Sequence, residues 1–239
     1  DKTPKAPGKV TFATLKKSVD DKKSGGDSLA DTSESLLRDA FEGKKSRFFE
    51  LSEDLLRINV RRGLCSKLNL LESFSGDIKF VGANKIVQKY NTDEMFGGKE
   101  GIFYDITGDG ALVYALLNNK ITPVNLDDEQ FFVKEDYLLS FESSLQYENS
   151  ARKFGEDFDL VKLTKSGTAL LLSKTEIFTQ KIDEKSPLNI RFDYIIGWHG
   201  NLKSKILRGQ GSLFSRRSDA KWVTFTGNGY VFCAKKIGG

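Results

Sequence analysis

The sequence predicts an all-β protein made of repeated β-sandwich or barrel units, preceded by an extended arm and a short amphipathic helix. Composition is one reason, because 18 Phe and 7 Tyr against one Met and four Pro suit half-buried pleated strands better than helical bundles. A second reason is a segment that occurs three times, in which a threonine and a glycine-rich link join two β-rich runs. With 239 residues the chain can bury a sizeable core, and the repeat favours several fused units.

The repeated segment gives the clearest signal. Its three copies are Ile106–Tyr114, Leu163–Leu171 and Phe225–Cys233. A second motif, Tyr137–Phe141, returns 57 positions later as Tyr194–Trp198, and the threonine of the first two copies recurs after the same 57 positions. Because one offset aligns two motifs without a gap, the chain contains an internal repeat.

The glycines of the repeated segment have a structural interpretation. Asp-Gly and Asn-Gly dipeptides between β-rich runs are typical of tight hairpin turns, which need a positive φ. A phosphate-binding loop would need a helix after the glycines, whereas strands are predicted there. We therefore assign these residues to structural turns: Gly108, Asp109, Gly110, Gly167, Gly227, Asn228 and Gly229.

The N-terminal part differs from the rest of the chain. Residues 1–30 are polar and Lys-rich and contain Pro4 and Pro7, which predicts an extended or disordered arm. Residues 31–43 combine an N-cap residue, a carboxylate three positions later, apolar residues at helical spacing and Gly43 as a stop. This pattern predicts a short amphipathic helix.

A period of two begins near Ser46 and predicts a β domain over residues 46–235, with repeats at about 46–100, 101–157 and 158–235. In the first and most diverged repeat, Gly63–Ser66 takes the place of Tyr137–Ser140. Turns are expected there at Ser75–Gly76, among other places. Residues 82–99 have weak periodicity, which predicts a connector with at most one helical turn.

Composition and motifs exclude several function classes. The net charge of +4 comes from 37 basic and 33 acidic residues, a mixed balance that does not by itself indicate nucleic acid. No apolar run reaches the length of a membrane-spanning helix. Cys65 and Cys233 lie in apolar β-like runs, which favours buried free thiols over a disulfide.

Catalytic and metal-binding patterns are missing from the sequence. His199 is the single histidine, so any His-dependent site would depend on one ring, and a packing or surface role is the simpler interpretation. Gly43–Ser46 resembles the end of a Walker sequence, but Arg38 stands where its first glycine is needed. We expect a protein that is not an enzyme and that needs no cofactor or metal.

Basic residues form the candidate anion-binding set: Arg61, Arg62, Lys203, Lys205, Arg208, Arg216 and Arg217. If they converge in space, they could bind RNA phosphates or anionic lipid headgroups. Charges that protect exposed strand edges from aggregation are the alternative. A small-ligand pocket near Trp198 and Trp222 is a third possibility, although both side chains are more simply explained as core.

The glycine-rich Thr-Gly-x-Gly turns, together with Val60–Leu64, Tyr194–Leu202 and Phe225–Phe232, resemble the fungal type of the mitochondrial biogenesis family called altered inheritance of mitochondria, number twenty-four. The resemblance covers about residues 46–235. It implies a fold similar to the tryptophan RNA-binding attenuation protein (TRAP), with several TRAP-like units around a pseudo-symmetry axis. It brings no catalytic residues.

The resemblance also implies a mitochondrial protein associated with the inner membrane and linked to cristae, to the contact-site system and to respiratory complexes. We therefore expect a non-enzymatic scaffold or assembly protein whose partners are subunits of mitochondrial complexes, with peripheral membrane contact. An RNA- or anionic-lipid-binding module that uses the basic loops is the alternative.

Overall fold

The computed structural model describes residues 48–97, 101–149, 160–207 and 222–234 of the chain. Every described residue belongs to one compact domain, Gly43–Gly239. The predicted arm at residues 1–30 and the predicted helix at 31–43 lie outside the described residues.

Strands make up most of the described residues, which confirms the predicted all-β class. The strands are β1 (Phe49–Leu51), β2 (Leu55–Asn59), β3 (Leu64–Lys67), β4 (Leu71–Gly82), β5 (Asn84–Val87), β6 (Tyr90–Met95), β7 (Phe103–Ala115), β8 (Lys120–Leu126), β9 (Phe131–Lys134), β10 (Leu138–Glu142), β11 (Gln146–Asn149), β12 (Leu160–Thr164), β13 (Gly167–Ser173), β14 (Ile177–Ile182), β15 (Leu188–Arg191), β16 (Ile195–Leu207) and β17 (Trp222–Ala234). Two short 3-10 helices, Glu135–Tyr137 and Phe192–Tyr194, precede β10 and β16.

The strands form two large antiparallel sheets and one small one. The eight-stranded sheet has the order β1-β2-β7-β3-β10-β13-β8, with β4 also paired to β7. The seven-stranded sheet has the order β11-β12-β9-β16-β17-β14, with β15 also paired to β17. The third sheet is the β5–β6 hairpin.

The strand pairing divides most of the strands into three equivalent units. In unit 1 (β2–β7), β7 pairs with β2, β3 and β4. In unit 3 (β14–β17), β17 pairs with β14, β15 and β16. In unit 2 (β8–β13) two shorter strands take the place of this one long strand. β13 pairs with β8 and β10, and β12 pairs with β9 and β11. The β5–β6 hairpin lies between β4 and β7 of unit 1.

The repeated threonines fall at the same register position in each unit. Thr107 lies opposite Lys79, Thr164 opposite Gln146 and Thr226 opposite Lys203. The third strand of each unit also begins with a bulge, which follows Leu71, Leu138 or Ile195. The internal repeat read from the sequence is therefore visible in the strand pairing.

The predicted match of Gly63–Ser66 with Tyr137–Ser140 is wrong. β3 pairs with the first part of β7 as β9 pairs with β12 and β15 with β17, so Leu64–Lys67 corresponds to Phe131–Lys134 and to Leu188–Arg191. A four-residue strand such as Leu64–Lys67 carries too little information to show which strand of a unit it forms.

The hairpin turns predicted at Asp109–Gly110 and Asn228–Gly229 are absent, because β7 and β17 run unbroken through these residues. The positive φ values belong to the preceding Gly108 (121°) and Gly227 (109°). A Cβ at Gly108 would overlap the carbonyl oxygen of Asp77 on β4. The glycine is needed there for the close approach of two long strands, rather than for a reversal of the chain.

A turn does exist at the equivalent position of unit 2. β12 ends at Thr164, β13 begins at Gly167, and Lys165 between them has a φ of 78°. The two strands lie in different sheets, so this turn passes the chain from one sheet to the other and does not form a hairpin.

Two further expectations for unit 1 are corrected. No turn interrupts β4 at Ser75–Gly76, since the strand is continuous from Leu71 to Gly82. The described part of the predicted connector at 82–99 is the β5–β6 hairpin. Most of β6 is exposed on both faces, so the sequence lacks the apolar alternation by which strands are recognised.

Three buried clusters form the core, one centred on each unit. The unit 1 cluster also contains Leu139 and Leu170 of unit 2. The unit 3 cluster also contains Phe132 and Leu160 of unit 2, and the unit 2 cluster takes side chains from both neighbours. Because each cluster crosses a unit boundary, the three units share one continuous packing arrangement.

Candidate functional site

The single histidine is held by packing and by one acidic partner. His199 Nδ1 lies 2.9 Å from a carboxylate oxygen of Glu129, and the imidazole stacks on Tyr230 with ring centroids 5.1 Å apart. It also contacts Phe232. These contacts account for the side chain structurally, as the sequence predicted for a histidine between apolar neighbours.

Both cysteines are free and buried, which confirms the interpretation of buried thiols. Burial, with a contribution from Asp105, holds the pKa of Cys65 well above its usual value. Burial likewise raises the pKa of Cys233 to about 12. Since the thiolate is the reactive form of cysteine, neither side chain is prepared to act as a nucleophile at neutral pH.

A buried polar cluster lies in the core of unit 1. The hydroxyls of Ser66 and Tyr114 lie 2.8 Å apart, and Ser66 Oγ also donates to the carbonyl oxygen of Leu139, 3.2 Å away. Nearby, Ser140 Oγ donates to the Cys65 carbonyl. Desolvation raises the pKa of Tyr114, so its phenol stays neutral. The cluster satisfies buried polar groups between units 1 and 2.

Among the described residues, no group of three His, Cys, Asp or Glu side chains is placed to hold a metal ion. In the same part of the chain, no helix has the length and apolar character needed to cross a membrane.

The candidate basic residues fall on different parts of the fold. Arg61 and Arg62 are exposed in the turn between β2 and β3, and Arg61 lies 3.9 Å from the Asp109 carboxylate. Lys203 and Lys205 are exposed on β16, in the other large sheet. The remaining candidates, Arg208, Arg216 and Arg217, lie outside the described residues.

The two tryptophans lie far apart along the β16–β17 pair, where Trp198 is opposite Val231 and Trp222 is opposite Leu207. Trp198 is 2% exposed, stacks on Phe132 with a centroid distance of 5.2 Å, and touches Phe225. Trp222 is half-buried at the start of β17. Trp198 therefore belongs to the core, in agreement with the simpler explanation offered by the sequence.

Half of the eight large apolar side chains that are exposed in the described chain lie at the end of β4, on β6 or just before β7. These side chains are Val81, Tyr90, Met95 and Ile102, with exposed fractions of 62%, 76%, 40% and 39%. We call them the hairpin surface. The weak periodicity of residues 82–99 predicts a connector, so the sequence does not indicate this surface.

The β5–β6 hairpin is fixed to the body of the protein by aromatic stacking. Phe96, which follows β6, stacks on Phe103 at 4.1 Å and on Tyr147 at 4.7 Å between ring centroids. Tyr147 Oη donates to the Asn84 carbonyl over 2.7 Å, and the amide of Ile86 donates to Asn149 over 3.0 Å. The hairpin surface therefore stands on a rigid base that joins units 1 and 2.

Comparison with known proteins adds the family. A crystal structure of a Streptococcus pyogenes protein has the same fold, with a TM-score of 0.59 and 17% identity, over 81% of this chain and 91% of that one. No curated protein sequence matches the chain. A family model described as mitochondrial biogenesis AIM24 matches residues 75–235, which is well over half of the chain. This match confirms the resemblance read from the glycine-rich segments, and the chain belongs to the mitochondrial biogenesis AIM24 family.

Proposed function

We propose that this protein is a non-enzymatic scaffold or assembly protein of mitochondria, which supports inner-membrane organisation or respiratory complexes by binding protein subunits. Family membership gives it a role related to mitochondrial biogenesis. The narrower role at the inner membrane, in cristae or in the contact-site system, is our proposal, and so is the absence of catalysis.

The hairpin surface is the observation that carries the proposal. Apolar side chains scattered singly over a surface need no explanation, but a group rimmed by polar residues is typical of a protein-binding site. Here Asp93 and Glu94 are exposed between Tyr90 and Met95, and Lys85 lies 3.2 Å from Glu94. The hairpin surface thus combines exposed apolar side chains with charged side chains that lie among them, and protein interfaces contain both kinds.

Rigidity supports the same conclusion. Association costs free energy when loops and side chains become ordered on binding, so a surface that is already fixed binds more tightly. The stack of Phe96 on Phe103 and Tyr147 holds the hairpin in place in the unbound protein. Tyr90, the aromatic side chain of the hairpin surface, is 76% exposed, and tyrosine is one of the residue types enriched among the residues that dominate binding energy in interfaces.

The test compares two surfaces on the same protein. The tagged chain carrying Tyr90→Lys and Met95→Lys is used to capture proteins from mitochondria, and the captured proteins are quantified by mass spectrometry. The control carries Phe178→Lys and Leu117→Lys, which replace apolar side chains that are 46% and 68% exposed elsewhere and add the same charge.

We expect the hairpin variant to lose inner-membrane complex subunits several-fold, because the added ammonium groups would be buried unpaired in the interface. The control should keep them. Equal capture by both variants, or no enrichment of any mitochondrial subunit by the unmodified chain, would contradict the proposal. Unchanged thermal unfolding of both variants verifies that the fold is intact.

A second function is favoured by one separate observation. Lys203 and Lys205 point to the same exposed face of β16, and their cross-strand partners, Thr226 and Thr224, are uncharged. Two unneutralised ammonium groups on one face can attract phosphate groups, with an affinity that falls as salt rises.

Titrations with anionic vesicles and with RNA at two salt concentrations test this alternative. Lys203→Glu with Lys205→Glu should abolish salt-sensitive binding. Lys79→Glu with Lys181→Glu, which changes two other exposed lysines by the same charge, should retain most of it. Equal losses in the two variants would show that only net charge matters and would remove the alternative.

A further inference from the structure

The three units are joined by two contacts that use the same strands in the same register. β10 of unit 2 pairs with β3 of unit 1, and β16 of unit 3 pairs with β9 of unit 2. In the first contact Phe141 lies opposite Cys65, and in the second Trp198 lies opposite Phe132. The two contacts between units are therefore equivalent. Unit 1 has no described partner for the strand edge by which units 2 and 3 bind the preceding unit, and unit 3 has none for the edge by which units 1 and 2 bind the following unit.

The unused edge of unit 1 belongs to β4. Its first half corresponds to β10 and to the start of β16, as the three bulges show. Among the described strands, β4 pairs with β7 alone. Phe74 holds the position of Phe141 and Trp198, yet it is 55% exposed whereas they are 1% and 2% exposed. The aromatic side chain is therefore buried where units 1 and 2 and units 2 and 3 meet, but it is exposed on β4, which pairs with no other unit among the described strands.

The unused edge of unit 3 belongs to β15, which corresponds to β3 and β9 and pairs with β17 alone among the described strands. Basic residues end all three strands. Lys67 and Lys134 each donate to a carbonyl oxygen of the following unit, at Glu135 over 2.8 Å and at Phe192 over 3.2 Å. Their equivalent, Arg191, donates through Nη2 to Asp193 and lies over the ring of Tyr194, both near neighbours in the sequence, and its buried Nε has no hydrogen-bond partner.

From these two complementary ends we propose that copies of this chain associate head to tail, with β15 of one copy pairing with the first half of β4 of the next. The register of the two internal contacts places Asn189 opposite Phe74, with Ser73 opposite Ile190. The occupant is a second copy because the chain itself contains both halves of a contact that it already makes twice. This contact is separate from the hairpin surface and does not depend on the proposed function.

Such a pairing would satisfy backbone groups of both edge strands and bury an exposed aromatic ring. An exposed edge strand offers unpaired backbone groups to another strand, and a head-to-tail contact of this kind builds rings or open chains according to its rotation. Covering Phe74 would remove an exposed aromatic ring from water, as happens to Phe141 and Trp198 within the chain.

Disulfide trapping tests the register directly. Residues opposite each other on antiparallel strands have Cα atoms about 4.5–5.5 Å apart, which suits a disulfide. The full-length variants Phe74→Cys and Asn189→Cys are purified separately, mixed and oxidised. The native Cys65 and Cys233 are 2% and 0% exposed, so they do not compete.

We expect a covalent pair in the mixture and little in either variant alone. A mixture of Tyr90→Cys with Asn189→Cys is the matched control, since Tyr90 is exposed but lies away from the proposed contact. Ultracentrifugation of the unmodified chain should show a mass that grows with concentration, and Phe74→Lys should abolish the growth.

Three results would overturn the inference. The first is a yield in the mixture no greater than in the control. The second is equally efficient pairing of Phe74→Cys with itself, which would indicate a two-fold contact. The third is a double variant, with Phe74→Cys and Asn189→Cys in one chain, that closes an internal bond and stays monomeric, because the two edges would then meet within one molecule.

Discussion

Replacement of Gly108 by alanine is expected to lower the free energy of unfolding by about 3 kcal/mol, whereas Lys165→Ala should change it by less than about 0.5 kcal/mol. The two residues occupy equivalent positions in units 1 and 2, and both have a positive φ, 121° and 78°. They differ in their surroundings. Gly108 lies inside β7 against β4, while Lys165 lies in the bend between β12 and β13.

Two costs add at Gly108. A residue with a Cβ at positive φ loses about 1–2 kcal/mol. The new Cβ would also overlap the carbonyl oxygen of Asp77, so β4 and β7 would have to separate, and overpacking of this kind costs about 1–3 kcal/mol. Lys165 already bears the first cost, and its exposed side chain can be shortened with little effect.

Urea denaturation followed by tryptophan fluorescence measures both variants, since Trp198 is buried in the native protein and becomes exposed on unfolding. Linear extrapolation gives the free energy in water. Equal losses for the two variants would refute the reasoning, because they would show that the close approach of β4 and β7 contributes nothing. A stable Gly108→Ala protein with unchanged midpoint would do the same.

Two further predictions concern the hairpin and the thiols. Phe96→Ala should lower the free energy of unfolding by about 3–5 kcal/mol, because it removes the central ring of the aromatic stack that holds the hairpin. Tyr90→Ala, on the exposed side, should lower it by less than about 0.5 kcal/mol. Denaturation curves measure both variants, and similar losses would contradict the anchoring role of Phe96. The pKa of Cys233 is raised by burial from 9.0 to about 12, so the native state binds more protons than the unfolded state between these values. Stability is therefore fully present below about pH 9 and falls as pH rises towards 12. Cys233→Ala should make the free energy of unfolding fall less steeply between pH 9 and 11, as measured by urea denaturation at each pH. An unchanged slope would contradict the raised pKa of Cys233.

The sequence contained enough information for the class of the fold and for its repetition. Strand propensity and alternation are local properties, so β2 could be predicted from the run Leu55–Val60 without knowledge of its partners. The 57-residue spacing of Tyr137 and Tyr194 also survives in the structure, where both end a 3-10 helix before a bulged strand. The glycine-rich segments were sufficient to indicate the family.

The candidate surfaces were less accessible to sequence reasoning. Tyr90 and Met95 lie in a polar stretch without periodicity. Their strand is seen only in the structure, where it pairs with β5 and is held by the stack of Phe96 on Phe103 and Tyr147. Phe74 presents the same problem in another form. Nothing local separates it from Phe141, which is the same residue type in an equivalent strand, and only the missing partner strand leaves it exposed.

What the sequence determined by itself was the all-β class and the threefold recurrence, because these depend on side chains a few positions apart. What only the tertiary structure decided was where the chain turns. Asp109–Gly110 can close a hairpin or lie within a long strand, and the outcome depends on whether a facing strand continues past it. Here β4 does continue, with its own Gly76 at a φ of 93° opposite Gly110, so the pairing of distant segments overrides the local preference for a turn.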